Sequence, residues 1–103
     1  MKTKLFEAIQ IGELLFRNRV IMAPMCMYSA KDDGLVTDWH VTHYASRAVG
    51  GVGGVILEAT AVTPDGRISA GDLGVWSDEH IDGLRRIADQ VKAAGAKAGI
   101  QLA

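Results

Sequence analysis

Apolar positions fall in short blocks separated by polar and glycine-rich stretches, and the spacing inside each block names its element. Residues 8–16, Ala-Ile-Gln-Ile-Gly-Glu-Leu-Leu-Phe, read as two short apolar strands turning at Gly12-Glu13, a hairpin suited to lie over one end of a core. After the basic break Arg17-Asn18-Arg19, residues 20–24 predict a first core strand, which Pro24 ends because proline has no N–H for a ladder. The stretch 29–34 is polar, with Asp32-Asp33-Gly34 as turn chemistry, and Thr37-Asp38 supply side-chain oxygens suited to a helix start. A helix over 39–49 follows. Gly50-Gly51-Val52-Gly53-Gly54 stops it, and Val55-Ile56-Leu57-Glu58-Ala59 has the apolar character of a strand buried on both faces. Residues 62–72 form a long loop around the Pro64-Asp65-Gly66 turn, and Ser77-Asp78-Glu79 then open a second helix. Its Ile81, Leu84, Ile87, Ala88 and Val91 recur at three- and four-residue steps, one apolar stripe that ends near Ala93-Ala94-Gly95. Residues 98–103 predict a third buried strand.

Strand, helix, strand, helix, strand, with short buried strands, implies parallel pairing through right-handed crossovers. Periodicity leaves a doubly wound sheet and a (β/α)8 barrel both open. A barrel needs about 250 residues, so 103 residues are expected to supply roughly two-fifths of one and to leave two sheet edges unpaired.

Composition narrows the partners. Hydrophobic residues at 49% and charged residues at 22% fit an ordinary globular class, and a net charge of −1 with interspersed signs offers no footprint for nucleic acid or anionic lipid. The opening Met1-Lys2-Thr3-Lys4-Leu5-Phe6 meets Glu7 before any signal-like apolar stretch can form. The longest uncharged runs, 20–30 and 48–57, fall short of the ~18–20 apolar residues of a membrane helix. A single cysteine, Cys26, excludes an internal disulfide and suits a reducing compartment, so a cytoplasmic location is expected.

Parallel α/β folds bind ligands at the carboxyl ends of their strands, which singles out Pro24-Met25-Cys26-Met27-Tyr28, Glu58-Ala59-Thr60 and Gln101. Cys26 and Tyr28 stand two residues apart, so strand alternation points a thiol and a phenol to one side. The competing reading is that Met25, Cys26 and Met27 only fill core space. His40, His43 and His80 lack metal-ligand spacing and read as helix-surface or packing residues, so no metal is expected. Trp39 and Trp76 read as packing anchors, and Arg67 as a solvated or subunit-contact residue. The glycine run 50–54 follows a helix and precedes a strand, the reverse of a phosphate loop. A nucleotide-binding unit also needs a glycine-rich turn directly after the first strand, where Pro24-Met25-Cys26 stand.

The segment Asn18-Arg19-Val20-Ile21-Met22-Ala23-Pro24-Met25-Cys26-Met27-Tyr28-Ser29 closely resembles the start of old yellow enzyme family members, in the branch with a flavin-side cysteine. The resemblance extends through His43-Tyr44-Ala45-Ser46-Arg47-Ala48, Glu58-Ala59-Thr60-Ala61-Val62, Gly66-Arg67-Ile68, Asp72-Leu73-Gly74-Val75-Trp76-Ser77-Asp78-Glu79-His80 and Gly99-Ile100-Gln101-Leu102-Ala103, essentially the whole chain. It implies the N-terminal β-α-β-α-β portion of a (β/α)8 TIM barrel, preceded by a short β-hairpin, with residues 1–103 as a partial flavin-binding domain. It further implies noncovalent FMN, NADPH or NADH as hydride donor, and reduction of activated C=C bonds of α,β-unsaturated carbonyl compounds. Carried over by position, Ala23, Pro24, Met25 and Cys26 line the isoalloxazine, with the Cys26 thiol tuning the flavin. Ala59 lets its strand approach the ring, Gln101 offers an amide to the pyrimidine edge, and Tyr28 contacts the substrate. Many relatives in the branch have serine where Ala23 stands, which puts one hydroxyl contact to the flavin in doubt.

Family members continue past the position of Ala103 with five more strands, carrying the paired substrate-holding residues, the proton-donor tyrosine and the phosphate site. The chain alone is therefore expected to be inactive, and a homo-oligomer or a complementing C-terminal barrel segment is the expected partner, with a small enone-type substrate. The alternative is a noncatalytic half-barrel, a structural or assembly module without bound flavin.

Overall fold

The computed structural model describes residues 3–103. A β-hairpin comes first. Strands β1 (Ile9–Ile11) and β2 (Leu14–Phe16) pair antiparallel with Ile9 opposite Phe16, and Gly12 turns between them at φ 59°, a left-handed conformation that glycine adopts without strain. Phe16 is buried and lies against Gly54, where an added Cβ would come 3.0 Å from the ring. The hairpin therefore packs at the amino ends of the main sheet, as the apolar pattern anticipated.

The main sheet is parallel. β3 (Ile21–Met22) and β6 (Lys97–Leu102) flank β4 (Gly54–Ala61), with Ile21 and Lys97 both level with Gly54, and Met22 and Ala98 both level with Val55. A two-residue strand β5 (Leu73–Gly74) pairs with Thr60 and Ala61 at the carboxyl end of β4. Two departures from the sequence pattern stand here. The first core strand stops at Met22, two residues before Pro24, and β5, inside what reads as loop, is too short for any periodicity to announce. Between Leu57 and Thr60 the register of β4 against β6 slips: Leu57 faces Ile100 while Thr60 faces Leu102. The slip places one extra residue of β4 at 58–59, a bulge at the level of the strand exits.

Helices α1 (Asp38–Val49) and α2 (Ile81–Ala93) cover one face of the sheet. The core between the layers joins Val41, Tyr44 and Ala48 of α1 and Ile87 and Val91 of α2 to Val55 and Leu57 of β4. Complete burial of a side chain such as Ile87 stabilises by about 2 kcal/mol relative to exposure. The apolar stripe read along 81–91 faces this core.

Both helices start on one device. Thr37 precedes α1 and Ser77 precedes the single 3₁₀ turn leading into α2, and in each case a histidine three residues on accepts the backbone N–H of the capping residue. The bonds are Thr37 N–H to His40 Nδ1 at 3.0 Å and Ser77 N–H to His80 Nδ1 at 3.2 Å. Histidine fills the role that glutamate or glutamine takes in the usual capping box. With Nδ1 accepting, the neutral rings carry hydrogen on Nε2, and His80 Nε2–H donates to the Asp33 carbonyl at 2.9 Å. His40 and His80 are buried caps rather than surface residues.

The basic break proves to be a clamp. The Arg17 guanidinium donates to Ala48 O at 2.7 Å, Ala94 O at 2.7 Å and Val52 O at 2.9 Å, meeting the carboxyl ends of both helices and the approach to β4. Asn18 Nδ2 donates to Gly51 O at 2.7 Å, and Gly51 stands at φ 113°, so the glycine run is both a helix stop and the seat of this clamp.

Candidate functional site

After Met22 the chain leaves the sheet, and residues 23–29 continue from its carboxyl edge as backbone outside any helix or strand. Pro24 has no N–H to give, and among the described residues the N–H groups of Met25 and Cys26 enter no backbone hydrogen bond. Ala23 and Met25 are exposed, Pro24 and Cys26 half-buried, and Met27 turns inward to pack on the core. Tyr28 is exposed and takes φ 52°, a left-handed conformation uncommon outside glycine. The segment is tied down at its end, where the Ala30 N–H donates to the Gly71 carbonyl at 2.9 Å.

Cys26 and Tyr28 both stand in this exit segment, the thiol half-buried and the phenol exposed. The Cys26 sulfur, then partial loss of solvent, then the Asp72 carboxylate hold the Tyr28 phenol above its ordinary 10. At neutral pH the phenol therefore keeps its proton and stands as a hydrogen-bond donor.

Ala59 and Gln101 lie at the bulge. Ala59 is buried in β4, and Gln101, exposed on β6, falls between Ile100 and Leu102, whose partners Leu57 and Thr60 bracket Glu58 and Ala59. Since β3 and β6 both run parallel to β4, the exit segment, Ala59 and Gln101 share one rim of the sheet.

Beneath that rim sits a polar cluster that the apolar pattern concealed. The Tyr44 hydroxyl donates to Glu58 Oε2 at 2.5 Å and accepts the Glu58 N–H at 3.0 Å. His40 Nε2 lies 3.9 Å from Glu58 Oε1. Burial pushes the Glu58 carboxyl up, while the Tyr44 hydroxyl and the Met27 backbone N–H pull against that by holding the charged form. Burial and the Glu58 carboxylate both push the Tyr44 phenol up. The available signal was a single carboxylate inside the apolar run 55–59.

Other sequence candidates land elsewhere. Trp39 is 52% exposed and anchors nothing in the core, whereas Trp76 is seated between Gly34 and Gly74 and meets the His80 ring edge-on at 4.5 Å. Arg67 lies over Trp76, 5.2 Å from its centroid, and pairs with Asp32 at 3.1 Å, so it braces the loop rather than standing free in solvent. Among the described residues no group of three or more His, Cys, Asp or Glu side chains could hold a metal ion, and no helix is long and apolar enough to cross a membrane.

Residues 4–103 match the model of one protein family, described as NADH:flavin oxidoreductase / NADH oxidase. The chain belongs to that family. Among family relatives, the NADPH dehydrogenase of Geobacillus sp. (strain WCH70) is 58% identical over 104 residues, all of this chain and 31% of that protein. The NADPH dehydrogenase of Bacillus subtilis (strain 168) is 54% identical, again over 100% of this chain and 31% of the relative. The chain thus spans just under a third of the length of these relatives. Among solved structures, Old Yellow Enzyme from Pichia sp. superposes with a TM-score of 0.90 at 27% identity, over 97% of this chain and 26% of that one. The old yellow enzyme homologue from Zymomonas mobilis superposes with a TM-score of 0.89 at 32% identity, over 97% of this chain and 28% of that one. The choice between doubly wound sheet and barrel is thereby decided: the fold is the first β-α-β-α-β portion of a (β/α)8 barrel behind a β-hairpin.

The rim suits a flavin in its donor set. A flat heteroaromatic edge rich in acceptors calls for N–H donors on one side and a carboxamide that can donate and accept. Free N–H groups at Met25 and Cys26 and the exposed Gln101 amide are of those kinds.

Proposed function

We propose that this chain forms the first wall of the FMN site in an NAD(P)H-dependent oxidoreductase that reduces activated C=C bonds of α,β-unsaturated carbonyl compounds. Bound FMN supplies hydride relay between the nicotinamide and the substrate. In this reading residues 1–103 are a partial barrel domain, and Ala23, Pro24, Met25 and Cys26 line the isoalloxazine through backbone and small or soft side chains. The small side chain of Ala59 permits close approach of β4, and Gln101 donates to and accepts from the pyrimidine edge. Cys26 places a weak donor beside the ring, and Tyr28 donates a hydrogen bond from its neutral phenol to the substrate carbonyl, stabilising negative charge as it develops. The NADPH dehydrogenase relatives and membership of the NADH:flavin oxidoreductase family support NAD(P)H as the reductant. A cytoplasmic setting and a homo-oligomer of the whole barrel complete the proposal, the former resting on a lone free thiol.

The observation that carries the reading is the shared rim, where the unpaired N–H donors of Met25 and Cys26, an exposed carboxamide and the exposed Tyr28 phenol sit at the carboxyl ends of parallel strands. Titration of the purified chain with FMN, followed by flavin fluorescence and the visible band, tests it. Saturable binding weakened by Gln101→Ala is the expected result. A folded sample that binds no FMN, or binds it equally well without the Gln101 amide, overturns the assignment of this wall and favours an assembly module that meets no flavin by itself.

A further inference from the structure

We infer that Asp72 is a positioning residue for Tyr28: its buried carboxylate gathers the end of the 62–72 loop, so that Gly71 seats against the Tyr28 backbone and holds that residue at the rim. The functional meaning rests on the proposed role of Tyr28 as a substrate contact, while the coupling itself is a property of the chain.

Asp72 is 3% exposed and enters no ion pair among the described residues. A buried carboxylate costs stability unless its oxygens are hydrogen-bonded. Here both are. Oδ2 accepts the Ile68 N–H at 2.6 Å, and Oδ1 accepts the Ser69 hydroxyl at 3.2 Å. Ser69 extends the chain of bonds: its Oγ accepts the Gly71 N–H at 3.1 Å, and its carbonyl accepts the Asp72 N–H at 3.2 Å. The carboxylate is also rooted in the sheet, because the next two residues are β5, paired with Thr60 and Ala61 at the carboxyl end of β4. Residues 68–71 are thus folded around one side chain that cannot itself move far.

Gly71 carries the consequence across to the exit segment. Its carbonyl receives the Ala30 N–H at 2.9 Å, and a Cβ added to it would come 2.6 Å from the Tyr28 carbonyl oxygen, so the two backbones touch. Tyr28 stands there at φ 52°, a conformation that costs free energy for a tyrosine and persists only where its surroundings impose it. No helix or strand pairing holds residues 23–29, which leaves the loop as the imposing contact. The Tyr28 side chain is more than half exposed, so its direction is set chiefly by its backbone and little by packing.

Ser69→Ala and Ser69→Thr form the discriminating pair. Ser69 is exposed, so neither change disturbs the core; alanine removes the hydroxyl that links the carboxylate to the Gly71 N–H, and threonine keeps it. Asp72→Asn is the second line, since one amide oxygen cannot accept from both Ile68 and Ser69. NMR of the full 103-residue chain reads hydrogen exchange at the Ala30 and Val91 amides and the Overhauser contact between the amide and α hydrogens of Tyr28, which left-handed backbone brings close together. In Ser69→Ala the expected result is Ala30 protection reduced about fivefold, a weakened Tyr28 contact and Val91 protection retained, with Ser69→Thr matching wild type. Asp72→Asn shows the same local pattern. Cyclohex-2-enone titrated into the chain in the presence of FMN shifts the Tyr28 ring signals in wild type, and does so with about threefold weaker affinity in Ser69→Ala. Unchanged Ala30 and Tyr28 signals in folded Ser69→Ala and Asp72→Asn, equal losses at Ala30 and Val91, or a threonine variant as loose as the alanine one overturns the inference. If Ala30 and the Tyr28 backbone respond while the enone shifts no Tyr28 signal in any sample, the coupling stands and the substrate-contact reading is what fails.

Discussion

Gly71 lies directly against the backbone of Tyr28: a Cβ added there would come 2.6 Å from the Tyr28 carbonyl oxygen and 2.9 Å from its carbon. The loop 62–72 is thereby pressed onto the exit segment, and the Gly71 carbonyl also receives the Ala30 N–H. Tyr28, already in a left-handed conformation, has little freedom to withdraw. Gly71→Ala is expected to destabilise the chain by about 1–3 kcal/mol and to change Cys26 alkylation, because the clash is with backbone. Gly99→Ala is the control, since its Cβ would meet Ile56 at 3.7 Å and the Val55 carbonyl oxygen at 3.9 Å, both ordinary contacts. Urea unfolding of the two variants checks this, and equal stabilities would show that the loop yields freely.

Gly34 tests a different contact. It stands at φ 70°, and a Cβ there would come 2.7 Å from the Trp76 ring. Gly34→Ala thus combines backbone strain with overpacking, and an expected loss of about 2–3 kcal/mol follows. The Trp76 environment should change with it. Trp76→Phe, by making room, should recover part of the loss in the double variant, and additive losses would count against a shared cause.

Arg17 joins elements far apart in sequence through the carbonyls of Ala48, Val52 and Ala94. A cation at two helix carboxyl ends is favoured by both dipoles, though its exposure to solvent moderates the gain. Arg17→Ala is expected to cost about 2 kcal/mol in urea unfolding, and Arg17→Lys to restore less than half, because an ammonium cannot span three carbonyls in a fork. A lysine variant as stable as wild type would reduce the clamp to simple charge.

Several of these contacts were legible in the sequence and several were not, for physical reasons. The hairpin turned where Gly12 allowed, α2 followed its stripe, and Pro24 marked the point by which the first strand must end, so the exit segment 24–28 could be located from pattern alone. Capping at Thr37 and Ser77 is legible, but each histidine taken singly carries no sign of its part in it. Set side by side, Thr37-Asp38-Trp39-His40 and Ser77-Asp78-Glu79-His80 repeat one cap, and the repeat was the missed signal. Glu58 stayed hidden because a charge within an apolar run looks like a strand end, and only the fold brings Tyr44 to it. The two tryptophans have the same composition signal, yet only Trp76 finds glycines small enough to receive it. Arg17 looked like punctuation because its acceptors are backbone carbonyls, which no side-chain pattern records. The barrel itself, and the roles carried over to Ala23, Ala59 and Gln101, came from resemblance rather than periodicity.

The buried histidine cap carries a pH dependence whose sign can be worked out. Burial lowers His40 below its ordinary 6.5, and His43 is lowered too, by burial and then by Arg47. Between the lowered values and 6.5 the unfolded chain binds more protons than the folded one, so stability is full above 6.5 and is lost as pH falls through that window. Glu58 opposes this: its raised carboxyl takes up a proton in the folded state at pH values above its ordinary 4.5, which favours folding as pH falls. His40→Gln separates the contributions, because glutamine accepts the Thr37 N–H in the same capping box and carries no titrating charge. Thermal midpoints measured from pH 7 to pH 5 should fall less in His40→Gln than in wild type, and in Glu58→Gln they should fall more steeply. Parallel curves for wild type and His40→Gln would mean that His40 does not titrate differently on folding and that the acid limb belongs to His43 or to the carboxylates.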